Sequence, residues 1–182
     1  HAEVMNNVLG GGVFSGYLMQ NLREDKAYTY GARSSLSDDR YVGSFKAYAS
    51  VRNEVTDSAI VQFLHEMNRI RTDTVDMEHL ELVKNAKTGS FARSLESSQR
   101  VATLAMNIQR YDLPSDYYDK NLERLEKTTR EDVLNMAQKY IHPEGTYLLV
   151  VGNKDEVAEK LLRFAGDNQI HYYDQYGNPI EA

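Results

Sequence analysis

Three consecutive glycines, Gly10, Gly11 and Gly12, interrupt an apolar pattern of helical period and constrain this chain more than any other stretch. Val4, Met5, Val8 and Leu9 precede them at helical spacing, and Phe14, Leu18 and Leu22 resume it afterwards, so residues 3 to 24 read as a helix broken at the glycines. Glycine inside a helix costs roughly 1 kcal/mol relative to alanine. Three in a row therefore require a bend, a tight packing contact or a close approach of backbone.

The pattern then changes period. Tyr28 to Leu36 alternates, with Tyr28, Tyr30, Ala32, Ser34 and Leu36 on one side of a predicted strand. Asp38-Asp39 supplies a turn, and Val42 to Val51 alternates again, placing Phe45, Ala47, Ala49 and Val51 on the core face of an antiparallel hairpin. From Glu54 the period is helical: Val55, Ala59, Ile60, Phe63, Met67 and Ile70 form one face, with Asn53 as the expected cap. Further helices are expected from a Thr74 cap toward Phe91, over Val101 to Ile108, over Tyr117 to Leu125, and from the Thr129-Arg130-Glu131-Asp132 capping box to His142-Pro143. Thr146 to Val151 is an unbroken apolar run between Gly145 and Gly152, the pattern of a central strand buried on both faces. A helix from Asp155 to Phe164, a strand at Ile170 to Tyr173 and a turn at Tyr176 to Pro179 complete the chain. Together these elements predict a single α+β domain: a mainly antiparallel sheet covered on one face by helices.

At 182 residues the chain is long enough for one good core. Its net charge of -6 and lack of a dense basic patch argue against a nucleic-acid partner. No apolar run reaches the roughly 20 residues of a membrane span. Cysteine is absent, which removes thiol catalysis and cysteine-based metal sites and leaves periplasm and cytoplasm equally open. The abrupt opening His1-Ala2-Glu3 is no signal peptide and fits an internal segment of a longer precursor.

Two histidine patterns approach zinc motifs and miss. His65-Glu66-Met67-Asn68-Arg69 would be a zincin helix with histidine at 69, and Val75-Asp76-Met77-Glu78-His79 would be the inverted H-x-x-E-H with histidine at 75. Each leaves one histidine and one glutamate, too few ligands, so no zinc is expected on this chain. The glycine run is a poor phosphate cradle, since no Gly-Lys-Ser/Thr follows it and a helix precedes it. No nucleophile-elbow spacing supports Ser15 as part of a catalytic triad.

The combination Asn7-x-Leu9-Gly10-Gly11-Gly12-x-Phe14-Ser15 with Leu22-Arg23-Glu24-Asp25-Lys26-Ala27-Tyr28-Thr29-Tyr30-Gly31 resembles the second homologous domain of the M16 (pitrilysin/insulinase-like) zinc metallopeptidases. Leu113-Pro114-x-x-Tyr117-Tyr118, Thr128 to Val133 and Val150-Val151-Gly152-Asn153 extend the resemblance over nearly the whole chain, and Gly166 to Pro179 is similar to the tail of bacterial members. The resemblance implies a LuxS/MPP-like metallohydrolase fold lacking its first strand, in a chain cut from a larger protein. It implies a clam-like chamber in which zinc and its H-x-x-E-H ligands sit on a partner domain, in cis or in trans, and this chain carries no cofactor. A peptide or unfolded protein is the implied substrate. Arg23 and Tyr30 match the family's Arg-x6-Tyr pair, implying catalytic roles: Arg23 holds substrate carbonyls by charge-assisted hydrogen bonds, and Tyr30 donates to the oxyanion. Tyr28, Gly11, Gly12 and Phe14 are implied to border the substrate. The other reading of the same resemblance is a non-catalytic homologue serving as a scaffold or assembly subunit.

Overall fold

The computed structural model describes residues 1–12, 15–38 and 41–180. The interrupted helix forms as two pieces. The first, α1, is an α-helix over Ala2–Asn6 that continues as a π-helix over Asn7–Gly11; the second, α2, is an α-helical turn over Tyr17–Met19 that widens into a π-helix over Gln20–Asp25. Both pieces drive apolar side chains into one core: Met5, Val8, Leu9, Leu18 and Leu22 are completely buried.

The glycines are needed for space rather than for dihedral freedom, because the left-handed glycine among the described residues is Gly177 alone. A Cβ on Gly10 would lie 2.8 Å from Leu18 Cδ1 and 2.8 Å from the backbone nitrogen of Ser34. A Cβ on Gly16 would lie 3.0 Å from Gly10 Cα and 3.1 Å from Leu9 O. The two helical pieces thus touch backbone to backbone at the bend, and the first lies directly on the following strand. Val13 and Phe14 fall outside the described residues.

Strands β1 (Ala32–Asp38) and β2 (Gly43–Ala49) pair antiparallel, with Ala32 opposite Ala49 and Leu36 opposite Phe45. Ala32 and Ser34 are buried beneath α1, and Phe45, Ala47 and Ala49 pack against the core, so helices cover one face of the hairpin as the alternation predicts. The predicted turn residue Asp39 lies outside the described residues. Beyond the hairpin, α3 (Thr56–Thr72), α4 (Met77–Ser94) and α7 (Arg130–Tyr140) close the core through Met67, Ile70, Leu80, Val83, Val133 and Ala137. Helices α5 (Ser98–Arg110) and α6 (Tyr117–Glu126) are more peripheral: Leu104 is the buried residue of α5, and α6 has none. The chain ends with α8 (Lys154–Leu161) and a two-residue ladder between β3 (Tyr172–Tyr173) and β4 (Pro179–Ile180).

Thr129 and Asp132 form the predicted capping box of α7. Two other predicted caps do not form. Asp76 rather than Thr74 caps α4, and Thr74 Oγ1 instead accepts from Arg130 Nη2. Asn53 opens a short 3-10 turn, Asn53–Val55, and its side chain donates to Glu156 Oε2 of α8 at 2.9 Å. In both places a tertiary partner takes the polar side chain that local propensity assigns to the helix end.

The largest departure is Thr146 to Val151. Instead of a central buried strand this stretch is unpaired, with Tyr147 99%, Leu149 88% and Val151 94% exposed. Its flanks are tethered to opposite ends of α3, by Arg71–Glu144 at 3.1 Å and by Asn53–Glu156. A strand becomes central only when neighbours satisfy both of its edges, and no described strand pairs with this one.

Candidate functional site

The site predicted at Arg23 and Tyr30 lies on the corner between α2 and β1. Leu18 and Leu22 hold one side of α2 in the core, which leaves Arg23 part-exposed on the last, widened turn. The π geometry is visible in the bond from Lys26 N–H to Asn21 O, 3.0 Å and five residues apart. Ala27 then turns left-handed at φ 52°, its N–H donating to Arg23 O at 3.1 Å while Tyr28 N–H donates to Leu22 O at 2.9 Å. This is a Schellman-type ending enlarged by one residue to match the wider helix.

Residues 28 to 31 are not yet strand. Tyr28 to Leu36 was expected to alternate throughout, but pairing begins at Ala32, so Tyr28 and Tyr30 do not share one strand face. Tyr28 is half-buried against the core and Tyr30 is 98% exposed. The segment is nonetheless well fixed. Thr29 Oγ1 donates to Ser50 O at 2.7 Å and accepts from Gly31 N–H at 3.1 Å, and Arg52 Nη1 donates to Ala27 O at 3.2 Å. Thr29 can close this turn because its hydroxyl both donates and accepts, which satisfies backbone groups that a strand ladder would otherwise take. The carrier of Tyr30 is therefore a pinned turn rather than a strand. Arg23 Nε lies 3.4 Å from Glu24 Oε1.

Gly11 and Gly12 lie at the bend. A Cβ on Gly11 would collide with the Asn6 amide, and one on Gly12 would sit 3.3 Å from Asn7 O, so both positions are already explained by packing. Phe14 lies outside the described residues.

Sequence reasoning missed a polar cluster beneath α2. Glu66 is 1% exposed; its Oε1 accepts from Asn21 Nδ2 at 2.6 Å and its Oε2 from Arg69 Nη1 at 3.2 Å. Asn21 Nδ2 also donates to Gln62 Oε1 at 3.1 Å. The Arg69 guanidinium lies 4.1 Å from the Tyr17 ring centre, and the His79 ring packs against the other side of the cluster, 5.4 Å from Tyr17. Burial pushes the Tyr17 hydroxyl pKa up, partly opposed by Arg69, and burial pulls the His79 pKa down with Arg69 adding to the effect. A signal was available: Glu66 stands three residues after Phe63 and four before Ile70, inside the apolar stripe of α3.

This cluster also answers the two zinc near misses. Glu66 is committed to Asn21 and Arg69, His79 packs on Tyr17, and among the described residues no group of three or more His, Asp or Glu side chains could hold a metal ion. Among the described residues no helix is long and apolar enough to cross a membrane.

An α+β domain with a glycine-packed broken helix leading to a pinned, tyrosine-bearing corner is the class that the geometry defines. Residues 1–87 match the family model described as the peptidase M16 inactive domain. Its fold is similar to the peptidase M16 inactive domain from Pseudomonas fluorescens, with TM-score 0.70 and 21% identity over 79% of this chain and 34% of that one. It is also similar to a protease from Helicobacter pylori, with TM-score 0.65 and 19% identity over 78% of this chain and 34% of that one. A chain of complex III2 from Candida albicans, solved with Inz-5 bound, has TM-score 0.62 and 15% identity over 76% of this chain and 35% of its own. At these identities the likeness is one of fold, and the chain spans about a third of the length of each. No curated protein matches.

Proposed function

We propose that this chain is the non-zinc domain of a peptide-hydrolysing M16 pair, contributing substrate binding and oxyanion stabilisation to a reaction centred on a partner domain. The observation that carries the reading is the corner itself. Arg23 and Tyr30 stand seven residues apart on either side of a turn closed by Ala27, Thr29 and Arg52, and Tyr30 projects 98% exposed from that turn. A tyrosine held by its backbone but packed by nothing is suited to meet a ligand. In this reading Tyr30 donates its hydroxyl to the oxygen on which charge develops, and Arg23 holds neighbouring peptide carbonyls. Tyr28 and the Gly11–Gly12 backbone border the peptide. Zinc held by the partner domain would supply the activated water, and this chain's own part is to bind and orient the peptide.

The scaffold reading has one observation in its favour, the fold likeness to a complex III2 chain. The test is reconstitution with the zinc-bearing M16 domain from the same polypeptide or a neighbouring gene, followed by assay of peptide cleavage. Cleavage should require both domains, and Arg23→Ala should raise KM about tenfold, the size of one charge-assisted hydrogen bond. A zinc domain that cleaves equally well without this chain, or a partner gene lacking H-x-x-E-H, would replace the peptidase reading with the scaffold one.

A further inference from the structure

The buried Glu66 carboxylate is connected to two points of the helix that carries Arg23. One oxygen accepts from Asn21, two residues before Arg23. The other accepts from Arg69, whose guanidinium lies over Tyr17, the first residue of α2. Asn21 is also the residue whose carbonyl receives the widened π-helical bond from Lys26. The same amino acid thus sets the shape of the last turn through its backbone and fastens that turn to α3 through its side chain.

A carboxylate in this place is not explained by stability. Replacing a buried charge cluster with apolar side chains of similar volume is often neutral or stabilising, because desolvation offsets much of the attraction. What the carboxylate adds over leucine is direction. Apolar contacts between α2 and α3 would permit the helix to rotate or slide by fractions of a turn, whereas the hydrogen bonds of 2.6 and 3.1 Å from Asn21 Nδ2 to Glu66 and Gln62 accept a narrow range of rotation, and Arg69 holds the Glu66 carboxylate in place from within α3. Rotation about the α2 axis is the motion that would carry Arg23 off the corner.

We infer that Glu66, acting through Asn21, is a positioning residue that fixes the rotation of the π-helical turn and so aims Arg23 into the substrate cleft. This rests on the peptidase reading for the role of Arg23, but the aiming itself is measurable without catalysis. The experiment compares the complete chain with Glu66→Gln and with the double variant Asn21→Leu/Glu66→Leu. Melting temperature, hydrogen–deuterium exchange of the amides of residues 22–28, and kinetics in the reconstituted pair are the readouts. The double variant should keep or raise the melting temperature while exchange over 22–28 quickens on the order of tenfold and other helices stay protected. Its kcat/KM should fall about tenfold, chiefly through KM. Glu66→Gln keeps an oxygen that accepts from Asn21 and should restore both exchange and kcat/KM.

Wild-type exchange over 22–28 in the double variant would overturn the proposal. Quickened exchange with unchanged kcat/KM in an active pair would overturn the link to Arg23. If the wild-type pair cleaves nothing, the peptidase reading fails, and the exchange data still decide whether Glu66 orients the turn.

Discussion

Gly10→Ala should destabilise the domain, although residue propensity alone predicts the opposite. Gly10 is in the helical piece Asn7–Gly11 and has an ordinary negative φ, so alanine would gain about 1 kcal/mol of helix propensity if space allowed. Space does not allow it. The added methyl would meet Leu18 Cδ1 and Ser34 N, each at 2.8 Å, and Ser34 Oγ at 3.0 Å. Ordinary contact begins at 3.4 Å, so relief requires a displacement of 0.6 Å, from 2.8 to 3.4. Leu18 could change rotamer, but Ser34 N is backbone in β1, paired within the hairpin and facing a buried side of the sheet. The helix or the hairpin must therefore move as a unit. Overpacking of this kind costs about 1–3 kcal/mol, which exceeds the propensity gain at its upper range. A net loss near 2 kcal/mol corresponds to a fall of about 4–8 °C in melting temperature for a domain of this size. Gly89→Ala is the internal control: it lies within α4, and its Cβ would meet nothing nearer than the flexible end of Arg93 at 3.5 Å. That variant should gain roughly 0.5–1 kcal/mol. Thermal unfolding of both proteins by far-ultraviolet circular dichroism suffices, and a melting temperature for Gly10→Ala at or above wild type would refute the close-packing account of the glycine bend.

The corner supplies a second stability prediction. Ala27→Gly removes a left-handed alanine at φ 52° and should stabilise by roughly 0.5–1 kcal/mol, read as a higher urea midpoint at unchanged m-value. A lower midpoint would contradict the assigned geometry. The third concerns pH. Burial and Arg69 hold the His79 pKa below its ordinary value of about 6.5, so the folded state binds fewer protons than the unfolded one. The contribution is fully present above about pH 6.5 and is lost as pH falls toward the depressed folded value. The melting temperature of wild type should therefore drop more steeply between about pH 7 and 5 than that of His79→Phe, which keeps a ring against Tyr17. Parallel profiles would contradict it.

Elements that depend on local chemistry were the readable ones. The capping box at Thr129 and Asp132, the hairpin alternation through Phe45, Ala47 and Ala49, and the glycine bend each follow from a few adjacent residues, and all three form. What escaped depends on distant partners. Asn53 and Thr74 look like caps until Glu156 and Arg130 claim them. Tyr28 and Tyr30 alternate like strand residues, but the Thr29 hydroxyl satisfies the backbone first and delays pairing to Ala32. Thr146 to Val151 has the composition of a central strand, yet composition cannot supply the neighbour that makes a strand central. Glu66 was visible as an anomaly in an apolar stripe, but its partner Asn21 is 45 residues away and could not be assigned without the fold.

The central claim is that the exposed tyrosine at the end of this corner works on substrate, and Tyr30→Phe tests it most directly. The substitution removes one hydroxyl from a side chain that packs on nothing, so the melting temperature should be unchanged. In the chain reconstituted with the proposed zinc-bearing domain, kcat for peptide cleavage should fall by roughly 10²- to 10³-fold with little change in KM, the signature of losing an oxyanion donor. An unchanged kcat in a pair that wild type renders active would contradict the account.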